Sequence, residues 1–187
     1  MCWVLFQGLE CGSFDILPQR DTLRRCAFIP IAGLMQDTYL LELAQPRDAA
    51  PIALLSRDFI EQGFRWAWTP ERVRRSLADR ATNVLVAREG DEVIGFGIMK
   101  YAETEAHLML FGVVPAWQRR GVGSALLAWL ESTATTAGIE LIFLEARIGN
   151  TKAREFYRRN GYRELALLHR YYQGREDAVR IGKDLLA

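Results

Sequence analysis

Apolar residues recur along this chain at two spacings, every second position and every third to fourth, and the changes between them mark out the elements. Thr38-Tyr39-Leu40-Leu41-Glu42-Leu43-Ala44 predicts a first strand. Beyond Pro46 the spacing lengthens, and Ile52, Leu55 and Phe59 predict a helix ending near Gly63. Thr69-Pro70-Glu71 predicts a second helix start, with Thr69 as N-cap and Pro70 in the first helical position; the pattern runs to about Asp79. Two β-like runs, Asn83 to Arg88 and Val93 to Lys100, flank Glu89-Gly90-Asp91-Glu92 and predict a hairpin. Ala106 to Val114 predicts a third consecutive strand, stopped by Pro115. Leu127, Leu130, Ala134 and Ala137 form an apolar stripe on a helix from Gly121 to Ala137, closed by Gly138. Leu141 to Ala146 is near-continuously apolar, as a strand buried on both faces should be. Asn150 predicts the cap of a short helix with Ala153, Phe156 and Tyr157 on one face, ended by Asn160-Gly161. Strands over about Tyr162 to Tyr171 and Ala178 to Leu185 complete the order.

This order predicts an α/β (α+β) domain: a mixed, mostly antiparallel central sheet flanked by about four helices. The strand–helix–strand step between residues 106 and 146 should be a parallel, right-handed crossover. A length of 187 residues suits one domain with a sizeable core. Residues 37–187 are expected to form it, with residues 1–36 an N-terminal extension left outside the fold argument.

Composition narrows the function classes. The net charge of +1 gives no broad field for nucleic acid or a membrane surface. Cys2, Cys11 and Cys26 form no C-x-x-C pair and lie near no histidine, which argues against a disulfide framework or zinc site. Met1 to Leu17 carries no Lys or Arg and is interrupted by Gly8, Glu10, Gly12 and Asp15, so it fits neither a signal peptide nor a membrane span. The expectation is a cytoplasmic, reduced protein, monomeric or homodimeric, with no metal.

The most informative segment is Val113-Val114-Pro115-Ala116-Trp117-Gln118-Arg119-Arg120-Gly121-Val122-Gly123-Ser124, between a predicted strand and a predicted helix. A helix N-terminus offers backbone N–H groups and a partial positive charge to phosphate. Gly121 and Gly123 permit close approach, and Arg119 and Arg120 add charge. Alone, this pattern fits equally a tight turn with a solvated basic edge. A Walker loop is excluded because no Gly-Lys-Ser/Thr follows, and a dinucleotide fingerprint lacks its third glycine.

Gln118-x-x-Gly121-x-Gly123, in this element order, resembles the coenzyme A signature of the GNAT acetyltransferase superfamily over about residues 37–185. Within it, Leu144-Glu145-Ala146-Arg147-Ile148-Gly149-Asn150 and Phe156-Tyr157-Arg158-Arg159-Asn160-Gly161-Tyr162 are similar to bacterial ribosomal-protein alanine N-acetyltransferases. Arg170-Tyr171-Tyr172, Glu176-Asp177-Ala178 and Glu105-Ala106-x-Leu108 extend the match, whereas Arg65 to Pro70 departs from the usual Phe-Pro-Trp-Ser. The resemblance implies acetyl-CoA as cosubstrate. Its pyrophosphate would lie on Arg119, Arg120, Gly121, Val122, Gly123 and Ser124, and its pantetheine arm along Phe111, Gly112 and Val113.

An ammonium ion cannot attack a thioester, so amine acetylation needs a base, and the departing thiolate needs a proton. Glu145 interrupts an apolar strand, where burial would raise a carboxyl pKa; spacing alone favours instead a strand-end carboxylate paired with Arg147 or Arg154. Tyr157 beside Phe156 reads as a core tyrosine. The resemblance implies instead that Glu145 is the base, Tyr157 the acid and coenzyme contact, and Asn150 a coenzyme partner as well as a cap. Trp66, Glu105 and Tyr171 are candidate acceptor contacts, while His107 and His169 read as isolated. The expected reaction is acetyl transfer to a primary amine, foremost a protein or peptide N-terminal α-amino group. A small amine such as an aminoglycoside, polyamine or amino acid, and a non-catalytic coenzyme A-binding module, are the alternatives.

Overall fold

The computed structural model describes residues 4–5 and 39–186. In chain order the elements are β1 (Val4–Leu5), β2 (Leu40–Leu43), α1 (Ala49–Leu55), α2 (Pro70–Ala78), β3 (Thr82–Glu89), β4 (Glu92–Tyr101) and β5 (Glu105–Val113). They continue as α3 (Val122–Thr136), β6 (Leu141–Arg147), α4 (Thr151–Arg159), β7 (Arg163–Tyr172) and β8 (Glu176–Asp184). The expected order of elements is present. The first helix departs from expectation in passing into a π-helical turn over Ser56–Ile60. Local chemistry sets the ends: the Thr69 hydroxyl accepts from Arg72 N–H at 3.3 Å, and Asn150 Oδ1 accepts from Ala153 N–H at 3.1 Å.

The sheet runs β2-β3-β4-β5-β6-β8-β7, antiparallel throughout except for the parallel β5–β6 pair that brackets α3. The last two strands are not added in chain order. β8 lies between β6 and β7, which leaves β7 at the edge with Leu165 and Leu167 exposed. Apolar side chains fill both faces. Leu108, Leu144 and Ile181 pack with Leu126 and Leu130 of α3 and with Ala153 and Tyr157 of α4. Val86, Ile98 and Tyr172 pack on the other face with Ile52 of α1, Val73 of α2 and Trp68 between them. Among the described residues no helix is long and apolar enough to cross a membrane.

One irregularity positions everything below. Ile98 pairs with Leu110 but Met99 with Leu108, so Met109 is an extra residue bulged from β5. A bulge bends its strand and sharpens its twist. β5 pairs with β6 only from Glu105–Leu141 to His107–Phe143. Beyond that point the two strands splay, and a cleft opens inside the sheet.

Candidate active site

The rim of the cleft is built where β5 ends. After Val113 the chain makes a short 3-10 turn, Pro115–Trp117, and Gln118 folds back so that its Nε2 donates to Val113 C=O at 2.9 Å. Arg119 and Gly121 then take left-handed backbone conformations, φ 62° and 86°, and α3 begins at Val122 with no side-chain cap. Successive amides in such turns form an anion-binding concavity, and an uncapped helix start leaves its first N–H groups directed into it. Arg119 is exposed, and the exposed Arg120 lies over the Trp117 ring at 4.4 Å. The two glycines are needed for different reasons. A Cβ at Gly121 would meet nothing within 4 Å, so the requirement there is its positive φ. A Cβ at Gly123 would come within 3.3 Å of the Phe156 ring, so the requirement there is close packing of α3 on α4.

The wall of the cleft is the edge of β5 that β6 leaves beyond His107. Val114 N–H donates to Ile94 C=O at 2.8 Å, so by the alternation of an antiparallel ladder the N–H and C=O of Val113 and Phe111 face the splay. This edge carries backbone of the chain itself: Val4 pairs with Phe111 and Leu5 with Leu110, antiparallel.

Glu145 stands on β6 two residues past the last β5–β6 pair, with its side chain fully enclosed. Its Oε2 lies 2.7 Å from His107 Nε2, and Arg180 binds Oε1 through Nε and a terminal nitrogen, both at 2.9 Å. The sequence expectations are corrected in two ways. The partners are neither Arg147, which donates to Gln62 C=O, nor Arg154, which pairs with Glu164. Burial does push the carboxyl pKa upward, but His107 and Arg180 together outweigh it and hold Glu145 below its ordinary value. His107 is not isolated either: it sits at the apex of the splay, stacked on Phe143 with ring centroids 4.4 Å apart. His169 pairs with Asp177 at 3.2 Å on the exposed edge.

Tyr157 is fully buried on α4, packed against Phe111, Phe156 and Tyr162, so its ring also meets the core role read from pattern alone. Tyr171 is half-buried, edge-on to Tyr172 at 5.1 Å; burial first, and the Glu145 carboxylate second, push its hydroxyl pKa up. Tyr172, part of the sequence match but not a candidate site residue there, donates its hydroxyl to Glu145 C=O at 3.0 Å. Trp66 is half-buried beneath the Arg57 guanidinium, 5.6 Å away. Glu105 stands apart, exposed at the opposite end of β5 from the splay. Sequence reasoning missed His107 and Arg180; strand pairing, not any local pattern, puts both on the Glu145 face. Among the described residues no group of three or more His, Cys, Asp and Glu is placed to hold a metal ion.

Comparison with known proteins places this geometry in context. Residues 52–162 match the model of the Acetyltransferase (GNAT) family. The [Ribosomal protein bS18]-alanine N-acetyltransferase of Salmonella typhimurium is 30% identical over 122 residues, 64% of this chain and 82% of that one. The N-alpha-acetyltransferase RimI of Mycobacterium tuberculosis is 34% identical over 110 residues, 57% of this chain and 68% of that one. Among solved structures, Ard1 from Thermoplasma volcanium superposes with a TM-score of 0.71 at 24% identity, covering 80% of this chain and 99% of that one, a likeness of fold.

Proposed function

The chain belongs to the acetyltransferase (GNAT) family, and on that premise we propose that it acetylates the N-terminal α-amino group of a protein or peptide. Acetyl-CoA supplies the activated acetyl group. The observation that carries the reading is the splayed β5–β6 pair, with an uncapped helix start at its rim and a buried carboxylate, Glu145, two residues past its apex. The residues present fit the coenzyme. Arg119 to Ser124 offer cations and helix N–H groups to the pyrophosphate, and the β5 edge at Phe111 to Val113 offers backbone groups to the pantetheine amides. Asn150 caps α4, its side chain accepting from Ala153 N–H, and this reading adds a contact to the coenzyme. Val113 C=O is engaged by Gln118, which leaves its splay-facing N–H as the donor for an oxygen that gains negative charge. This reading assigns to the Tyr157 hydroxyl the return of a proton to the departing sulfur.

The acceptor reaches the cleft from the α1–α2 side. There the turn between β7 and β8 approaches the α1–α2 connection: Gln173 Nε2 donates to Arg65 C=O at 3.4 Å, and Arg147 lies over the Phe64 ring at 3.9 Å. Half-buried Trp66 and Tyr171 and the fully buried Tyr172 pack together on this side. Two curated relatives are named as a ribosomal-protein alanine N-acetyltransferase and an N-alpha-acetyltransferase, which favours a chain terminus as the acceptor. Residues 37–187 carry the whole of this machinery, and the reading places the reaction in the cytoplasm.

Acetyl-CoA-dependent thiol release on alanine- and serine-starting peptides, beside polyamines, aminoglycosides and free amino acids, tests the proposal. Turnover on peptides is expected, falling about tenfold or more in Tyr157→Phe. Turnover confined to a small amine would overturn the acceptor assignment and leave the coenzyme site standing.

A further inference from the structure

Two segments far apart in sequence meet on the acceptor side of the cleft: the α1–α2 connection and the turn between β7 and β8. Side chains tie them together. Gln173 Nε2 donates to Arg65 C=O at 3.4 Å. Arg147, at the end of β6, donates to Gln62 C=O at 3.0 Å and lies over the Phe64 ring at 3.9 Å. Its Nε stands 3.7 Å from the Glu176 carboxylate at the start of β8. Glu61 fixes the connection from inside, accepting from Ala67 N–H at 2.7 Å and Trp68 N–H at 3.2 Å. The turn is set by its own backbone: Gly174 N–H donates to Arg170 C=O at 3.1 Å, and Arg175 N–H to Tyr172 C=O at 2.9 Å.

The charges at this junction do not balance. Its carboxylates are engaged: Asp58 by Arg57 at 2.7 Å, Glu61 by buried amides and Glu176 by Arg147. Asp177 accepts from Arg170 N–H at 2.7 Å and lies 3.2 Å from His169 Nδ1. Arg65 and Arg175 remain, one on each of the two joined segments. Both are exposed, and neither has an ion pair among the described residues. Like charges brought together by the fold are a local cost that an anionic ligand relieves. These cations are separate from Arg119 and Arg120, which stand at the start of α3, a helix packed on the opposite face of the sheet.

We propose that Arg65 and Arg175 select the acceptor, and that the preferred substrate is a peptide whose N-terminal residue is followed by aspartate or glutamate. The inference rests on the N-terminal acetylation reading above and names its substrate class. The α-amino group must enter the splay, so the rest of the peptide trails outward past the junction. An extended chain advances about 3.3–3.6 Å per residue, which brings the first few side chains out among the exposed guanidiniums. A guanidinium fork matches a carboxylate in shape as well as charge. A basic peptide meets two unpaired cations there and no unengaged carboxylate.

The test compares kcat/KM for three peptides that share an N-terminal alanine and carry Asp/Glu, Asn/Gln or Lys/Arg at the next three positions. The full chain should favour the acidic peptide over the basic one by about tenfold or more at low salt, chiefly through the peptide KM. The preference should shrink between about 20 mM and about 0.5 M salt, since exposed charges are screened. In the double variant Arg65→Gln/Arg175→Gln the ratio should fall towards one, and in Arg65→Glu/Arg175→Glu it should invert. Arg80→Gln removes an exposed cation beyond the far end of α2 and should keep the wild-type ratio. A wild-type ratio near one, or a preference for the basic peptide, would overturn the proposal. So would a ratio that survives in the double glutamine variant, or one lost equally in Arg80→Gln, the result of net charge alone. Failure to acetylate any of the three peptides would instead sink the N-terminal acetylation reading, and the selectivity with it.

Discussion

At the scale of single residues, two of the buried carboxylates, Glu61 and Glu145, show how environment divides one chemistry. Glu61 is held by Ser56 Oγ at 3.2 Å and by Ala67 N–H at 2.7 Å, and burial pushes its pKa up despite these bonds and the nearby Arg72. Glu145 is more deeply enclosed, yet its pKa is lowered, because a guanidinium and an imidazole share its two oxygens. A carboxylate with a depressed folded pKa contributes stability that is present above its unfolded value of 4.5 and lost as pH falls through the folded value. Urea unfolding should therefore show the wild-type protein losing more stability than Glu145→Gln between about pH 7 and about pH 3. At neutral pH the variant should be the less stable by about 1–3 kcal/mol, the cost of an imperfectly satisfied buried site. Equal losses on acidification in the two proteins would show that the charge of Glu145 is not what the fold relies on.

At the scale of elements, the cleft exists because β5 is bulged and α3 sits unusually near the sheet. Gly95 and Gly97 of β4 lie under α3: an added Cβ would come 3.0 Å from Leu126 Cδ1 and 2.8 Å from Leu130 Cδ1, respectively. The Gly97 position is also bounded by the Phe111 ring at 3.2 Å, so an added Cβ must displace the Leu130 side chain or the ring on the cleft wall. Gly97→Ala should cost about 1–3 kcal/mol by overpacking, read as a lower urea midpoint, and raise the KM for acetyl-CoA because Phe111 lies on the β5 edge. Unchanged stability would mean that α3 has slack where the structure gives it none. Neither the bulge nor the near approach of α3 can be read from the strand pattern. A bulge is one extra residue in a run that still looks apolar, and small residues in a strand fit several causes equally well.

At the scale of the whole molecule, the β5 edge has two claimants. Val4 and Leu5 pair with the backbone at Phe111 and Leu110, and the same splay-facing groups are those the coenzyme arm would use. Two extended chains cannot hydrogen-bond one strand edge at the same place. Deleting residues 1–38 should therefore lower the KM for acetyl-CoA, measured by thiol release at saturating peptide, and leave kcat at the wild-type level. A KM that stays the same or rises would show that Val4–Leu5 does not hinder the cosubstrate. The topology around this edge also explains how residues distant in sequence converge. β8 inserts beside β6 and brings Arg180 directly opposite Glu145, while the crossover through α3 sets β6 parallel to β5 and brings His107 to the other side.

The sequence by itself determined the order of elements, the caps at Thr69 and Asn150, and the cradle at Gln118 to Gly123. Each is decided by interactions spanning a few residues, where periodicity, capping hydroxyls and left-handed glycines leave a local mark. Candidate residues on the strands, Glu145 among them, were legible as positions but not as environments. Spacing offered Arg147 and Arg154 as partners because they are near in the chain. The tertiary structure decided on His107, 38 residues away, and Arg180, 35 residues away. That choice follows from which strands become neighbours, and strand order is fixed by burying both faces of the sheet together, a condition that no single segment carries. The direction of the Glu145 pKa turned on the same choice, since burial could be foreseen from an apolar strand but the two partners that outweigh it could not.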